Sequence, residues 1–117
     1  MGVALLKPNV KAEREKRKRD RLKRRKEWAH QVLMLDGRCR NFMAPDHNRY
    51  VAADAHHIIK RSQGGKDTVE NGIILCRTCH AMVHKDPSFM IRILQDNEKM
   101  EWFRWGAALK ELLKKEV

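Results

Sequence analysis

Four histidines and one asparagine are the residues whose types and spacing are best suited to chemistry: His56, His57, Asn71, His80 and His84. His80 and His84 are four residues apart, so on a helix over residues 77–85 both imidazoles project from one face and can share a metal ion. Neighbouring residues of a strand point to opposite faces. One of the two adjacent histidines can therefore bind that ion, while the other stays available as a base.

These side chains must be held by a strand, a loop, a second strand and a helix, in that order. The loop contains Gly64 and Gly65, and Asn71 stands just before the apolar run at 73–75. The Asn71 amide can tie this loop and hold the base histidine in one orientation. Alone, a His-x3-His pair is more often a surface or packing feature than a site. The order and spacing of the complete set favour a metal site.

The segment HHIIKRSQGGKDTVENGIILCRTCHAMVH resembles the HNH endonuclease family, and the resemblance extends over roughly residues 37–86. It implies an α+β fold with a small ββα-metal (His-Me finger) core, in which a divalent ion lies between a strand hairpin and a helix. By matching positions, it implies that His57 is the general base and that Asn71 and His80 complete the catalytic set. It also implies that His56, His80 and His84 bind the metal.

The resemblance implies a metal-dependent hydrolase that cleaves DNA phosphodiester bonds. A bound cation stabilises the charge that develops on the phosphate, and a neutral imidazole, with an ordinary pKa near ~6.5, can take the proton of the attacking water. Three imidazoles without a carboxylate favour Mn²⁺, Ni²⁺, Co²⁺ or Zn²⁺, with Mg²⁺ as an alternative. Lys60 and Arg61 follow the first histidine pair and either hold a phosphate or are solvated loop charges.

The chain of 117 residues carries a net charge of +11, and residues 11–26 contain eleven basic and three acidic side chains. This block predicts a solvated helical arm that joins the domain through Trp28, Val32 and Leu35. Such an arm grips DNA phosphates without reading sequence. A disordered or localisation-type basic tail is the alternative. The arm residues expected to contact DNA, together with Lys60 and Arg61, are Lys16, Arg17, Lys18, Arg19, Arg21, Lys23, Arg24, Arg25 and Lys26.

The C-terminal third predicts helical scaffolding. Asp86 and Pro87 suit the start of one helix. A second, amphipathic helix is predicted from the three- to four-residue spacing of Trp102, Trp105, Leu109 and Leu112, with core packing favoured over base stacking for the tryptophans. The sequence thus divides into a basic arm at 1–36, the HNH-like core at 37–86 and a helical region at 87–117.

The three cysteines have two interpretations. Cys76 and Cys79 form a Cys-x2-Cys knuckle, but Phe42 stands where Cys39 would need its partner. Either His47 completes a structural zinc site with the three cysteines, or the thiols are reduced and partly buried. CRTCH also matches the covalent haem motif, but no export signal or apolar haem pocket is indicated.

Together the resemblance and these features predict an endonuclease that nicks or cleaves double-stranded DNA with low sequence specificity, with a monomer as the favoured state. Small HNH proteins of this kind resemble bacteriophage proteins, which implies roles in DNA packaging with a terminase, in homing or in restriction. The alternative is a zinc-supported nucleic-acid-binding module without catalysis. No apolar run long enough for a membrane span is present, and MGVALLKP is too short for a signal peptide, so a cytoplasmic location, in a bacterial host if phage-encoded, is expected.

Overall fold

A computed structural model describes residues 9–42 and 53–115 of the chain. The helices and strands in these ranges are α1 (Val10–Asp36), β1 (Ala53–His57), β2 (Gly72–Cys76), α2 (Arg77–Lys85), α3 (Ser88–Asn97) and α4 (Gly106–Lys115). The fold is therefore α+β, with a ββα unit made of β1, β2 and α2, as predicted. None of the helices in these ranges combines the length and the apolar composition needed to cross a membrane.

The two strands form an antiparallel sheet whose two faces are covered by different helices. Ala53 lies opposite Cys76, and His57 lies opposite Gly72. Ala53 and Ala55 pack toward α1, whereas His56, one residue away from Ala55, contacts α2. Because both faces are covered, every residue of β2 is buried. The two histidines at the end of β1 consequently have different surroundings.

Helix α1 joins the core only through its last turns. Residues 10–27 are exposed, whereas Trp28, Val32 and Asp36 are buried at four-residue intervals on one face. The prediction that Leu35 belongs to this face is wrong, since Leu35 is 53% exposed. The four-residue spacing places Asp36 there instead, where its carboxylate has buried partners.

The buried carboxylate of Asp36 pairs with Arg104. Arg104 Nη1 donates to Asp36 Oδ1 at 2.7 Å, and the backbone N–H of Ile74 donates to Asp36 Oδ2 at 2.9 Å. The Arg104 guanidinium also donates to the carbonyls of Val69 and Gly72 at 2.8 and 2.9 Å. The Asp36–Arg104 ion pair thus joins the end of α1, the start of β2 and the segment before α4.

The C-terminal helix is shorter than the sequence pattern predicts. It begins at Gly106, so Trp102 and Trp105 lie before it rather than within it. The Trp105 indole is fully buried, and its Nε1 donates to the Gly72 carbonyl at 2.6 Å. Together with the hydrogen bonds of Arg104, this contact holds the preceding segment against β2, so the helix starts after it. Trp105 packs in the core as predicted, although not through helical periodicity.

Candidate metal centre

Three imidazoles converge between β1 and α2. His56, His80 and His84 each offer a ring nitrogen, and the three nitrogens lie within 4.8 Å of one another. The Nε2 atoms of His80 and His84 are 3.0 Å apart. The strand supplies His56 on its α2 face, and one turn of helix supplies the other two. The structure therefore brings together all three histidines predicted as metal ligands.

The spacing of these nitrogens fits a shared metal ion. Two imidazole nitrogens bound to one ion at about 2.1 Å lie roughly 3.0 Å apart at octahedral angles and roughly 3.4 Å apart at tetrahedral angles. The observed 3.0 Å between His80 and His84 falls at the first value. Imidazole donors suit transition metals and zinc, so this donor set is chemically fit for such an ion.

The surroundings of His56 keep its ring neutral. Burial, followed by the charges of His80 and His84, lowers the pKa of His56 from 6.5 to about 4. A metal ligand must be unprotonated to bind, so this depressed pKa leaves His56 competent as a ligand across the neutral range.

The pKa of His56 predicts that acid destabilises the metal-free protein. The unfolded chain takes up this proton near pH 6.5, whereas the folded chain resists it until about pH 4. The stabilisation that comes from neutral His56 is fully present above pH 6.5. It is lost as pH falls from 6.5 to about 4, by at most about 1.4 kcal/mol per pH unit. Urea unfolding at several pH values measures the slope. His56→Gln should flatten it, and an equally steep slope in that variant would rule out His56 as the cause.

A carboxylate that the sequence analysis did not single out lies beside the cluster. Asp54 Oδ2 is 3.5 Å from Nδ1 of His80. A carboxylate on one ring nitrogen fixes a histidine in the tautomer that presents its other nitrogen to a metal. Asp54 lies two residues before His56, on the same face of β1, so strand alternation is the signal that could have identified it.

His57 lies on the opposite face of the sheet. Its ring stacks on Trp28 of α1, with centroids 3.8 Å apart and an interplanar angle of 8°. Its Nε2 is 2.8 Å from Oδ1 of Asp67. Neither partner was predicted from sequence. The two adjacent histidines are thus separated, one within the cluster and one outside it.

Asn71 ties the loop between the strands. Its Oδ1 accepts from the Ile59 N–H at 2.7 Å, and its Nδ2 donates to the carbonyls of Ile59 and Lys66 at 3.0 Å. Only glycine fits at position 65 of this loop, because the Cβ of any other residue would lie 1.8 Å from the Ile59 carbonyl oxygen. Asn71 therefore closes the loop as predicted, but it acts on the backbone and has no direct contact with the His57 ring among its hydrogen bonds.

Comparison with known proteins finds a family that this part of the chain resembles. Residues 38–86, which include both strands and α2, match the family model of the HNH endonuclease. These residues are therefore similar to an HNH endonuclease domain. The type IV methyl-directed restriction enzyme EcoKMcrA of Escherichia coli (strain K12) is 38% identical over 58 residues, which are 48% of this chain and 20% of that enzyme. The chain thus spans about a fifth of the length of this relative. No solved structure gives a significant match.

Basic residues lie near the histidines of the segment at 38–86. Lys60 lines a cavity of about 280 Å³ together with His56 and His84. Arg61 lies on the other side, with its Nε 3.7 Å from Asp67. The arm residues predicted to contact DNA are all exposed on α1. The last of them, at 24–26, line hollows beside the loop.

A second group of candidate metal ligands consists of three cysteines. Cys39, Cys76 and Cys79 are buried with their sulfurs within 4.8 Å of one another. The backbone hydrogen bond from Arg40 N to the Ile74 carbonyl keeps Cys39 beside the end of β2. Zinc–sulfur bonds of about 2.3 Å place two sulfurs roughly 3.8 Å apart, so the grouping fits zinc. His47, the predicted fourth ligand, lies outside the described residues.

The thiols of Cys39 and Cys79 hold their protons when no metal is bound. Burial is the largest cause of both pKa shifts: it raises the pKa of Cys39, and it raises the pKa of Cys79 to about 12. Asn41 Nδ2 donates to Cys79 Sγ at 3.4 Å. A zinc ion would displace the thiol protons, whereas reduced thiols would simply fill the core. Both interpretations of the cysteines therefore remain.

Replacing Cys76 by serine separates the two interpretations. If zinc is bound, the substitution should unfold the core, because structural zinc supplies much of the folding energy of a small domain. If the thiols only fill space, it should cost roughly 1 to 3 kcal/mol and leave a folded protein. Native mass spectrometry after dialysis against a weak chelator provides the measurement. A retained zinc ion supports the site, and a folded protein without zinc excludes it.

Proposed function

We propose that this chain is a divalent-metal-dependent endonuclease that hydrolyses phosphodiester bonds of double-stranded DNA, one strand at a time and with little sequence specificity. The observation that carries the proposal is the convergence of three imidazoles from β1 and α2, while His57, adjacent to His56 in sequence, lies on the opposite face of the sheet with separate partners. The match of residues 38–86 to HNH endonucleases supports it. So does the resemblance to a restriction enzyme.

In the proposed reaction, His57 takes a proton from the attacking water. The new oxygen–phosphorus bond forms as the bond from phosphorus to the 3′ oxygen breaks, and the 3′ oxygen leaves with a proton from solvent. A divalent ion held by His56, His80 and His84 would supply Lewis-acid stabilisation of the charge on the phosphate. Asn71 keeps the loop closed through its bonds to the Ile59 and Lys66 backbones.

The donors restrict the class of ion that this site would hold. Three imidazoles favour Mn²⁺, Ni²⁺, Co²⁺ or Zn²⁺, and Mg²⁺ is the alternative. Asp54 contacts the ring of His80, which supports a role in orienting that ligand.

The exposed part of α1 is proposed to hold DNA. Its residues at 10–27 form an exposed helical segment that spans about 27 Å at ~1.5 Å per residue. Eleven basic side chains lie along it. A helix with charges all around has no apolar face to bury, so a polyanion is the partner that matches its chemistry. Arg24 lines the same hollow as Arg61 and Asp67, so this hollow connects the exposed segment with the loop. Lys60 and Arg61 are proposed to contact phosphates near the scissile bond.

Neutralising lysines of the arm should lower the salt dependence of DNA binding. The triple variant Lys16→Gln, Lys18→Gln, Lys23→Gln should weaken binding uniformly across sequences. It should also reduce the slope of log K against log salt by about 2 to 3, since each neutralised phosphate contributes roughly 0.9. Fluorescence anisotropy on two unrelated duplexes measures both effects. Lys99→Gln, Lys110→Gln, Lys114→Gln removes the same charge elsewhere on the surface, and equal slopes for the two variants would contradict the role of the arm.

Relaxation of supercoiled plasmid tests the proposed activity. Purified protein with Mn²⁺ should produce open circles first and linear DNA later, and a chelator should stop the reaction. At this Mn²⁺ concentration His80→Ala should remove most of the activity, whereas Gln95→Ala, at an exposed position of α3, should not. Linear DNA without an open-circle intermediate would require two coordinated sites, and hence a dimer rather than the proposed monomer. DNA binding without cleavage in the presence of each of Mn²⁺, Ni²⁺, Co²⁺, Zn²⁺ and Mg²⁺ would overturn the proposal.

That last outcome would instead favour the second candidate, a nucleic-acid-binding module without catalysis. The buried cysteine group is the observation in its favour, since structural zinc can support such a module.

Among biological roles, restriction has the support of the relative that is a restriction enzyme. Packaging with a phage terminase and homing are the alternatives. We also propose that residues 1–36 act as the arm, 37–86 as the nuclease core and 87–117 as its helical support.

A further inference from the structure

Asp67 contacts the histidine proposed as the base. Its Oδ1 lies 2.8 Å from Nε2 of His57, and the two side chains are 18% and 19% exposed. The contact spans ten residues of the loop. The Asp67 carboxylate belongs neither to the histidine cluster nor to the hydrogen-bond partners of the Asn71 side chain.

The chemistry of this contact fixes the proton on the ring. An ionised carboxylate only accepts hydrogen bonds, so Nε2 of His57 must be the donor. A neutral imidazole carries one N–H, and Nδ1 is then left with a lone pair. We propose that Asp67 is a positioning residue, which holds His57 in the Nε2–H tautomer and leaves Nδ1 as the atom that takes the proton from water. This inference rests on the proposed nuclease function.

Trp28 and Asn71 hold both partners in place. The indole of Trp28 stacks on the His57 ring at 3.8 Å, and its Nε1 donates to the Thr68 carbonyl at 2.7 Å, next to Asp67 in the chain. Asn71 Nδ2 donates to the carbonyl of Lys66, on the other side of Asp67. The loop is therefore bonded on both sides of the carboxylate, and the histidine can neither rotate nor shift without breaking these contacts.

The surroundings of the pair are open to a substrate. His57 lines a hollow between α1 and the loop, together with Arg25, Lys26 and Arg61. These cations match the charge of a phosphodiester backbone. Arg61 also approaches Asp67, but at 3.7 Å, so the closer partner of the carboxylate is the imidazole. A carboxylate lies behind the base, and cations lie around it. This arrangement is better explained by proton transfer from water at a phosphate than by an ordinary surface ion pair.

An amide in place of the carboxylate should reverse the tautomer. In the variant Asp67→Asn, the side-chain amide can present its NH₂ group to Nε2 of His57, which then accepts, and the proton moves to Nδ1. In a serine protease triad the same change from Asp to Asn lowers kcat by about 10⁴-fold for this reason. We expect Asp67→Asn to lower kcat by about 10²- to 10⁴-fold with little change in KM, because the imidazole acts on water rather than on substrate binding.

The experiment combines kinetics with nuclear magnetic resonance. The variants are Asp67→Asn, Asp67→Glu as the conservative rescue, and Asp96→Asn as an exposed control on α3. Nicking of a labelled duplex gives kcat and KM. Nitrogen-15 spectra of the metal-free protein in alkaline buffer give the tautomer of His57 without any requirement for activity. We expect Nε2–H in the native protein and in Asp96→Asn, Nδ1–H in Asp67→Asn, and partial recovery of kcat in Asp67→Glu.

Two results would overturn the role of Asp67. One is a native His57 that carries its proton on Nδ1. The other is an active native enzyme whose kcat survives Asp67→Asn. A native protein that never cleaves DNA would instead defeat the proposed function, and the tautomer measurement would still decide whether Asp67 orients the ring.

Discussion

Replacing His57 by alanine should lower the rate of DNA cleavage by about 10²- to 10⁴-fold, the usual contribution of a general base. The affinities for metal and for DNA should stay close to those of the native protein, because His57 lies outside the cluster formed by His56, His80 and His84. Plasmid nicking gives the rate, titration calorimetry gives the metal affinity, and anisotropy gives the DNA affinity. Gln95→Ala, at an exposed position of α3, is the control.

The pattern of losses distinguishes a base from a ligand. His80→Ala and His84→Ala should lower metal occupancy, and a higher metal concentration should restore part of their activity. No metal concentration should restore His57→Ala. Full activity in His57→Ala would show that another group removes the proton, and loss of metal binding in that variant would place His57 among the ligands.

Removing one partner of the buried ion pair should have a large effect on stability. Asp36 is completely buried and Arg104 is 15% exposed, with 2.7 Å between Arg104 Nη1 and Asp36 Oδ1. Asp36→Ala leaves the Arg104 guanidinium without its carboxylate and the Ile74 N–H without its acceptor. We expect a loss of about 3 to 5 kcal/mol in the free energy of unfolding, since breaking one side of a buried pair leaves an uncompensated charge. Urea unfolding followed by circular dichroism measures it.

A surface pair offers the matched control. Lys114 Nζ lies 3.7 Å from Glu111 Oε1, and both side chains are more than half exposed. Glu111→Ala should therefore change the free energy of unfolding by less than about 1 kcal/mol. If Asp36→Ala and Glu111→Ala cost the same, the Asp36–Arg104 ion pair does not hold α1 against the sheet.

The histidine cluster could be predicted because it depends on local periodicity. Four residues separate His80 and His84 on one helix, and strand alternation separates His56 from His57. The same reasoning correctly predicted the α+β fold and the ββα unit. It failed at Trp102 and Trp105, where a three- to four-residue spacing arises without a helix because hydrogen bonds to β2 hold the chain.

The partners of His57 could not be predicted because they depend on distant segments. Trp28 reaches His57 from a helix 29 positions earlier in the chain, and Asp67 reaches it across the loop. The Asp36–Arg104 ion pair joins residues 68 positions apart. No local pattern specifies such contacts, since a charged residue at the end of an exposed helix is normally solvated. Asp54 is the exception, because its position on the face of His56 follows from strand alternation.

The most direct test of a metal-dependent nuclease is to follow metal binding and DNA cleavage in one titration. Mn²⁺ is added to metal-stripped protein, while paramagnetic resonance reports bound Mn²⁺ and gels report open-circle plasmid. Mn²⁺ avoids thiolates, so binding to the cysteine group does not interfere. We expect no nicking before addition, nicking that rises with occupancy of a single site, and a joint shift of both curves to higher Mn²⁺ in His84→Ala. Nicking by the metal-free protein, or nicking that is unchanged while occupancy falls in His84→Ala, would contradict the assignment.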